Sequence, residues 1–201
     1  MLKRFPTKII EYLKNQFSLD LRALAFMRIA FGMIIISDIL IRVSSLEAHY
    51  GQEGVMPLYF LLKDCWNKYY FSFFTISDNV YIVSFLFCLQ AIIALSLTFG
   101  YRTRLCSILS WIFIISLHNR NPFILQGGDD LLRLTIFWGI FLPWGKRFSI
   151  DSLLSKNKIS DNRYFDIPAL GFALLVCSVY VVSALLKNKN EWYLQGTALY
   201  Y

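Results

Sequence analysis

The sequence predicts an all-α, polytopic membrane protein with about five transmembrane helices and additional interfacial helices. Hydrophobic residues occupy 57% of the 201 positions and charged residues only 16%, whereas soluble domains average about 45–50% and about 25%. Uncharged runs such as residues 80–100 are also long enough for a helix to cross a hydrocarbon core of about 30 Å. Together these observations exclude a disordered chain, a coiled coil and an ordinary soluble enzyme.

Residues 1–20 are predicted to form an amphipathic helix that lies in the membrane interface. Ile9, Leu13 and Phe17 recur at helical spacing, and Lys14 lies on the opposite face. The remainder, residues 21–201, is predicted to be one transmembrane domain.

Five segments of this domain have the composition of membrane spans: residues 22–41, 80–100, 105–117, 131–144 and 167–186. Pro168 suits the first turn of the last helix. The stretch 55–76 is apolar but interrupted by Lys, Asp and Asn and rich in Trp and Tyr. We expect interfacial helices there rather than a further span.

Basic residues are unevenly divided between the two sides of these segments. Loops on the N-terminal side contain twelve of the 20 Lys and Arg residues, the other side contains six, and Arg28 and Arg133 lie within spans. The positive-inside rule then predicts a cytoplasmic N-terminus and an outer C-terminus. Because the net charge of +7 is spread beside apolar segments and not along one face, nucleic acid is not an expected partner.

The cysteines and histidines do not predict a metal centre or a disulfide framework. Three of the four cysteines lie in apolar runs, and no CxxC or CxxH spacing occurs. A site built from His49, His118, Asp129 and Asp130 is disfavoured because no helical spacing presents two of these ligands together.

Two ionisable residues are predicted to meet within the membrane. Asp38 lies in the outer half of the first span and Arg133 in the outer half of the fourth. Charged groups at this depth are costly alone and are usually paired or functional. We therefore expect an interhelical Asp38–Arg133 ion pair, acting as a structural clamp or as the floor of a site. Arg28 could instead extend to the cytoplasmic surface.

The densest group of polar residues follows the third span: His118, Asn119, Arg120 and Asn121, then Gly127, Gly128 and Asp129. The third span is too short to bring this segment clear of the membrane. We expect polar, non-helical backbone here, which requires surrounding protein or water. These residues are predicted to line one outward-opening pocket above Asp38 and Arg133.

Each residue of this segment also has a simpler structural explanation. His118 is the candidate proton-transfer residue because an unperturbed histidine side chain titrates near neutral pH, but it could instead simply donate to a backbone carbonyl. Arg120 could bind a carboxylate or a lipid head group. Asp129 could orient His118, cap the fourth helix or pair with Arg133 one turn later. Gly128 and its neighbour permit a tight turn with close backbone approach.

Four blocks of sequence resemble a known family: "MRIAFGMIIISD", "FGYRTRL", "SLHNRNPFILQGGDDLLRLTIFWGIFLPWG" and "LLKNKNEWYLQGTALYY". They resemble the HTTM (horizontally transferred transmembrane) domain, from about residue 21 to residue 201. That family is related to the vitamin K-dependent gamma-carboxylase and includes a membrane protein that helps to mature a bacterial sporulation-delaying toxin. The resemblance implies a helical domain in the bacterial cytoplasmic membrane, with its chemistry on the outer side.

The sequence also departs from the carboxylase pattern. The catalytic lysine of the carboxylase follows an aspartate at the outer end of the helix equivalent to the third span, where this chain has His118 and Asn119. Asn119 cannot act as a base, so the resemblance does not carry gamma-glutamyl carboxylation to this chain. Related proteins usually continue beyond the last block, so a truncated transmembrane unit is expected.

Three functions are compatible with these features. The protein could assist the modification, maturation or export of a secreted peptide. It could be a membrane enzyme that uses a quinone-type lipid cofactor, with His118 as the base. It could also be a structural subunit of a partner membrane protein.

Overall fold

The computed structural model of the chain describes residues 7–155 and 161–187, which are helical apart from one short antiparallel ribbon. The chain divides into two compact units, one made of Met1–Ser18 and Phe165–Tyr201 and the other of Leu19–Tyr164. Residues 188–201 of the last family-like block lie outside the described residues.

The first unit contains two described helices, α1 (Thr7–Phe17) and α9 (Ile167–Leu186), which contact each other. Within the predicted N-terminal segment, Thr7–Phe17 is a helix, and its place in the membrane interface stays a prediction. The α9 helix begins as predicted, because Pro168 lies in its first turn and the Asp166 side chain accepts the backbone N–H of Ile167.

The second unit begins and ends in a two-residue ribbon in which β1 (Leu19–Asp20) pairs with β2 (Arg163–Tyr164). Its main helices are α2 (Leu21–Ser44), α5 (Val80–Phe99), α6 (Thr103–Arg120) and α7 (Gly127–Gly139), followed by the short α8 (Ile150–Leu154). The α2 helix packs most extensively on α5, α5 packs on α6, and α6 packs on α7.

Side-chain caps fix where the long helices begin. The Asp20 carboxylate accepts the N–H of Arg22 at 2.7 Å and starts α2. The Arg22 side chain also hydrogen-bonds this carboxylate, which lowers the pKa of Asp20 to about 2. Asn79 starts α5 by accepting the N–H of Tyr81 at 2.9 Å.

The turn between α5 and α6 is built around a buried arginine. Gly100 has φ +71°, and a Cβ atom there would collide with Nη1 of Arg28 and with Cβ of Ser149. Arg28 is fully buried, so the alternative in which it extends to the surface is not formed. Its Nη2 donates to the carbonyl of Phe148, which holds the side chain inside the unit.

Three described helices are long and apolar enough to cross a membrane: Leu21–Ser44, Val80–Phe99 and Ile167–Leu186. The third and fourth predicted spans are also helices, α6 and α7. However, α6 carries polar residues at both ends and α7 has only 13 residues. By length and composition, the described residues therefore supply three candidate spans instead of about five.

The polar segment after the third predicted span is more helical than expected. The α6 helix continues through Arg120 and ends at Asn121, because the residue before a proline disfavours helical backbone. Gly127 and Gly128 begin α7 with open space where their Cβ atoms would lie. The predictions of non-helical backbone at residues 118–120 and of a tight glycine turn with close approach are both wrong.

The segment between α2 and α5, which we call the outer segment after its predicted side, contains short helical turns: α3 (Leu46–Tyr50), α4 (Leu58–Phe60), a π-helical turn (Leu61–Cys65) and a 3-10 turn (Phe73–Thr75). The last three lie in the stretch 55–76, where helices were predicted, and their place in a membrane interface stays a prediction. The segment is fixed to the C-terminal end of α6. The Ser72 hydroxyl donates to the carbonyl of Ser116 at 2.6 Å, and the Phe73 N–H donates to the Ser116 hydroxyl. Phe74 beside them is completely buried.

Candidate functional site

Arg42, a buried residue near the C-terminal end of α2, is the centre of a group of polar side chains. This group also contains Asp38, Tyr50, His118 and Asp129, and we call it the outer cluster. The Nε of Arg42 lies 2.8 Å from both carboxylate oxygens of Asp38, one turn earlier on the same helix. Its Nη1 donates to the hydroxyl of Tyr50 at 3.2 Å, and its Nη2 lies 3.9 Å from Oδ1 of Asp129. The side chain is only 7% exposed, so these carboxylates neutralise a charge that has little access to water.

Asp129 links this arginine to the predicted histidine. Its Oδ1 lies 3.8 Å from Nε2 of His118, and its Oδ2 accepts the N–H of Gln126 at 2.7 Å. The carboxylate therefore stabilises the first turn of α7 and also belongs to the polar cluster. The predicted proximity of His118 and Asp129 is present, although their separation exceeds a hydrogen-bond distance.

The His118 ring lies behind Asp129 in the protein interior. It is 1% exposed, and its Nδ1 has no hydrogen-bond partner among the described residues. The ring is therefore buried behind the carboxylate of Asp129 and does not line the cleft that Asp129 lines.

The predicted Asp38–Arg133 ion pair is wrong. Asp38 binds Arg42, and Nη2 of Arg133 lies 2.6 Å from Oδ1 of Asp130 within the first turns of α7. In both cases the partner lies one turn away on the same helix, where pairing requires little additional ordering. The alternative pairing of Asp129 with Arg133 is also not formed, because Asp130 takes that arginine.

Arg120 holds the outer segment against α6. It is completely buried, and its guanidinium donates to the carbonyls of Met56 at 2.9 Å and Tyr50 at 3.3 Å. The guanidinium carbon also lies 5.9 Å from the centre of the Tyr50 ring. These contacts give Arg120 a structural role that the sequence did not predict.

The two asparagines beside Arg120 have similar contacts. Nδ2 of Asn119 donates to the carbonyl of Phe71 at 2.9 Å, and Nδ2 of Asn121 lies 3.5 Å from the carbonyl of His49. Both amides therefore fasten the outer segment to the end of α6.

A cleft of about 650 Å³ opens beside the cluster. Its ionisable lining residues are Asp38, Arg42, His49 and Asp129, and its apolar lining includes Phe31 and other residues of α2 and α7. We call this space the outer cleft.

The outer cleft contains only part of the predicted pocket. Asp38, Gly128 and Asp129 line it, whereas His118, Asn119, Arg120, Asn121, Gly127 and Arg133 do not. His49 was predicted only as a residue that could approach this face, and it lines the cleft. Sequence reasoning did not identify Arg42 as a site residue, although its position one turn after Asp38 is a signal that could have found it.

The charged residues that line the outer cleft favour a cationic ligand group. Two carboxylates, Asp38 and Asp129, and the single guanidinium of Arg42 line it, so this lining has a net charge of −1 when His49 is neutral. Burial raises the pKa of Tyr50 even though Arg42 lies nearby, so its hydroxyl stays protonated. Within residues 7–155 and 161–187, no group of three His, Cys, Asp or Glu side chains is placed to hold a metal ion.

Comparison of the chain with family models, with curated proteins and with solved structures finds no match. The resemblance to the HTTM domain therefore rests on the sequence blocks alone.

Proposed function

We propose that the chain is a multi-pass membrane protein of the HTTM type that assists the modification, maturation or export of a secreted peptide at the outer cleft. The observation that carries this proposal is the convergence of Asp38, Arg42, His49 and Asp129 on one cleft at the ends of apolar helices. Charged residues within membrane segments are costly and commonly mark substrate or ion paths.

In this proposal α6 and α7 also lie within the membrane, which gives five membrane helices with a cytoplasmic N-terminus. The division of Lys and Arg between the loops supports this orientation. A helix of 13 residues covers only about 20 Å. The α7 helix therefore fits a bilayer that is thinned locally or shielded by neighbouring protein.

The peptide group that fits the outer cleft best is an amine, either an N-terminus or a lysine side chain. The negative cluster attracts a cation, and the apolar wall formed by Phe31, Ile34 and Leu132 accommodates an adjoining hydrophobic side chain. A volume of about 650 Å³ suits one or a few side chains of an extended peptide.

Site-specific photo-cross-linking tests the proposal in membranes of cells that secrete small peptides. A photoreactive amino acid replaces Ser44, which lines the outer cleft, and in a control chain it replaces Glu53, an exposed outer residue that does not line it. We expect a peptide adduct, identified by mass spectrometry, from position 44 only. The same adduct should be lost when Asp129→Asn is added. Equal adducts from both positions, or none from position 44, would contradict the proposal.

A second candidate is a membrane enzyme that uses a quinone-type lipid. The observation that favours it is the His118–Asp129 pair, since Nδ1 of His118 has no hydrogen-bond partner among the described residues and so offers an acceptor for a proton. Naphthoquinone binding, followed by quenching of tryptophan fluorescence, should then depend on the redox state of the quinone and weaken in His118→Gln. A purely structural subunit predicts instead that Asp129→Asn changes stability without changing any adduct or ligand binding.

A further inference from the structure

The outer cleft follows one face of α2 over more than three helical turns. Phe31, Ile34, Asp38 and Ile41 line it at helical spacing, and Ser44 lines it at the end of the helix. With a rise of about 1.5 Å per residue, the stretch from Phe31 to Ser44 is about 20 Å long. Because Phe31 lies near the middle of α2 (Leu21–Ser44), the cleft extends from the end of this helix to its centre.

The charged residues of the lining are confined to one end of this length. On α2, Asp38 lies toward the C-terminal end, whereas Phe31 and Ile34 lie toward the centre. On α7, Asp129 lies in the first turn, and Leu132 follows almost one turn later. A molecule that fills the outer cleft therefore contacts charged groups at one end and hydrocarbon side chains at the other.

The apolar end of the outer cleft is open at its side. Ile34 on α2 is 48% exposed and Leu131 on α7 is 39% exposed, although both line the cleft. In the membrane arrangement proposed above, side chains that are exposed near the centre of α2 face lipid and not water. The outer cleft is then accessible from the bilayer, between α2 and α7.

A peptide that reaches this end must satisfy its backbone without water. Unpaired N–H and C=O groups are costly in hydrocarbon, so such a peptide segment is helical. A helix with its side chains is about 10 Å wide, so a cleft of about 650 Å³ holds a few side chains from one face of a helix and not the whole helix.

We propose that the outer cleft receives a peptide that is still inserted in the membrane. The apolar helix of this peptide packs one face between α2 and α7, and its amine lies at the charged end, beside Asp38 and Asp129. This inference rests on the proposed function and names its substrate class: a hydrophobic, membrane-embedded peptide with an amine on the outer side, and not a peptide already released into water.

Photo-cross-linking of the full chain in phosphatidylcholine vesicles tests the inference. A photoreactive amino acid replaces Ile34, at the apolar end of the cleft. In the matched control it replaces Met33, which is 53% exposed, lies at nearly the same depth and does not line the cleft. The probe is a synthetic peptide with a free N-terminal amine, about 20 leucine and alanine residues to span the bilayer, and a C-terminal fluorophore. We expect several-fold more fluorescent adduct from position 34 than from position 33.

A second probe separates entry from the bilayer from entry through water. It keeps the free amine and the fluorophore, but serine and glycine replace the leucine and alanine residues. We expect it to give no adduct at position 34, because a polar peptide does not enter the hydrocarbon region. Equal adducts from positions 33 and 34 with the apolar probe, or equal adducts at position 34 from the two probes, would overturn the inference.

Failure of this inference is distinguishable from failure of the proposed function. The adduct of a secreted peptide with position 44 in cells reports on the proposed function alone. If that adduct forms while the apolar probe does not distinguish position 34 from position 33, only the membrane-inserted substrate is overturned. If no adduct forms at position 44 in cells, the proposed function is contradicted, and this inference with it.

Discussion

Replacing Arg42 with Gln removes the cation that joins the outer cluster. The substitution leaves Asp38 and Asp129 without the guanidinium that lies 2.8 and 3.9 Å from them, in a place where the arginine is 7% exposed. Breaking a buried pair by removing one partner typically costs about 3–5 kcal/mol. Because Asp38 is 28% exposed and keeps some hydration, we expect the lower end of this range: Arg42→Gln should reduce the free energy of unfolding by about 3 kcal/mol.

The Arg133–Asp130 pair provides the comparison for this magnitude. Its 2.6 Å contact is shorter than that of Arg42 with Asp38, but its two side chains are 33% and 62% exposed. Exposed pairs contribute at most about 1 kcal/mol because water screens them. Burial, and not contact length, should therefore decide which substitution is more harmful, so Arg133→Gln should cost far less than Arg42→Gln.

Double-mutant cycles measured by thermal or denaturant unfolding in detergent micelles distinguish these pairs. Asp38→Asn and Arg42→Gln should show a coupling of about 1–3 kcal/mol, whereas Asp38→Asn and Arg133→Gln should be additive within about 0.5 kcal/mol. A larger coupling of Asp38 with Arg133 than with Arg42 would refute the reasoning from contacts and burial.

Further predictions concern the turn between α5 and α6, the outer segment and the pH dependence of stability. Gly100→Ala should destabilise the protein by about 2 kcal/mol or more, because alanine would be held in left-handed backbone and its Cβ would collide with Arg28. Gly128→Ala places its Cβ in open space and should not destabilise the protein. The unfolding midpoints of the two variants test this difference. Arg120→Gln should leave buried carbonyls unpaired and speed amide hydrogen exchange across residues 46–56. Although partial burial raises the pKa of Asp151, hydrogen bonds from the start of α6 hold it below its usual value. Its stabilising contribution is therefore complete above about pH 4 and is lost as the pH falls through the lowered value, and Asp151→Asn should flatten that part of the pH–stability profile.

Helix positions were predictable because they depend on local sequence. The apolar runs and Pro168 in a first turn act within a few residues, and α2, α5 and α9 begin within one residue of the predicted positions. Membrane insertion of α6 and α7 is not decided by such signals, because their length and hydropathy fall between those of a span and a buried helix.

The candidate site was harder to predict because its contacts join distant parts of the chain. Arg120 binds carbonyls 64 and 70 residues away, and no periodicity in the sequence reveals that the outer segment folds over α6. Equal depth suggested that Asp38 would pair with Arg133, but closer partners on their own helices were available to both. Proximity of His118 to Asp129 was predictable, since only a short connection separates the two helix ends.

The central claim is that the outer cleft faces the outside of the cell and that the end of α5 beside Lys146 faces the cytoplasm. With the four native cysteines replaced, Ser44→Cys places one thiol at the outer cleft and Lys146→Cys places one beside the end of α5, at positions that are both exposed. A membrane-impermeant maleimide should label position 44 in intact cells and position 146 only after permeabilisation. Labelling of both positions from the same side of the membrane would contradict the account.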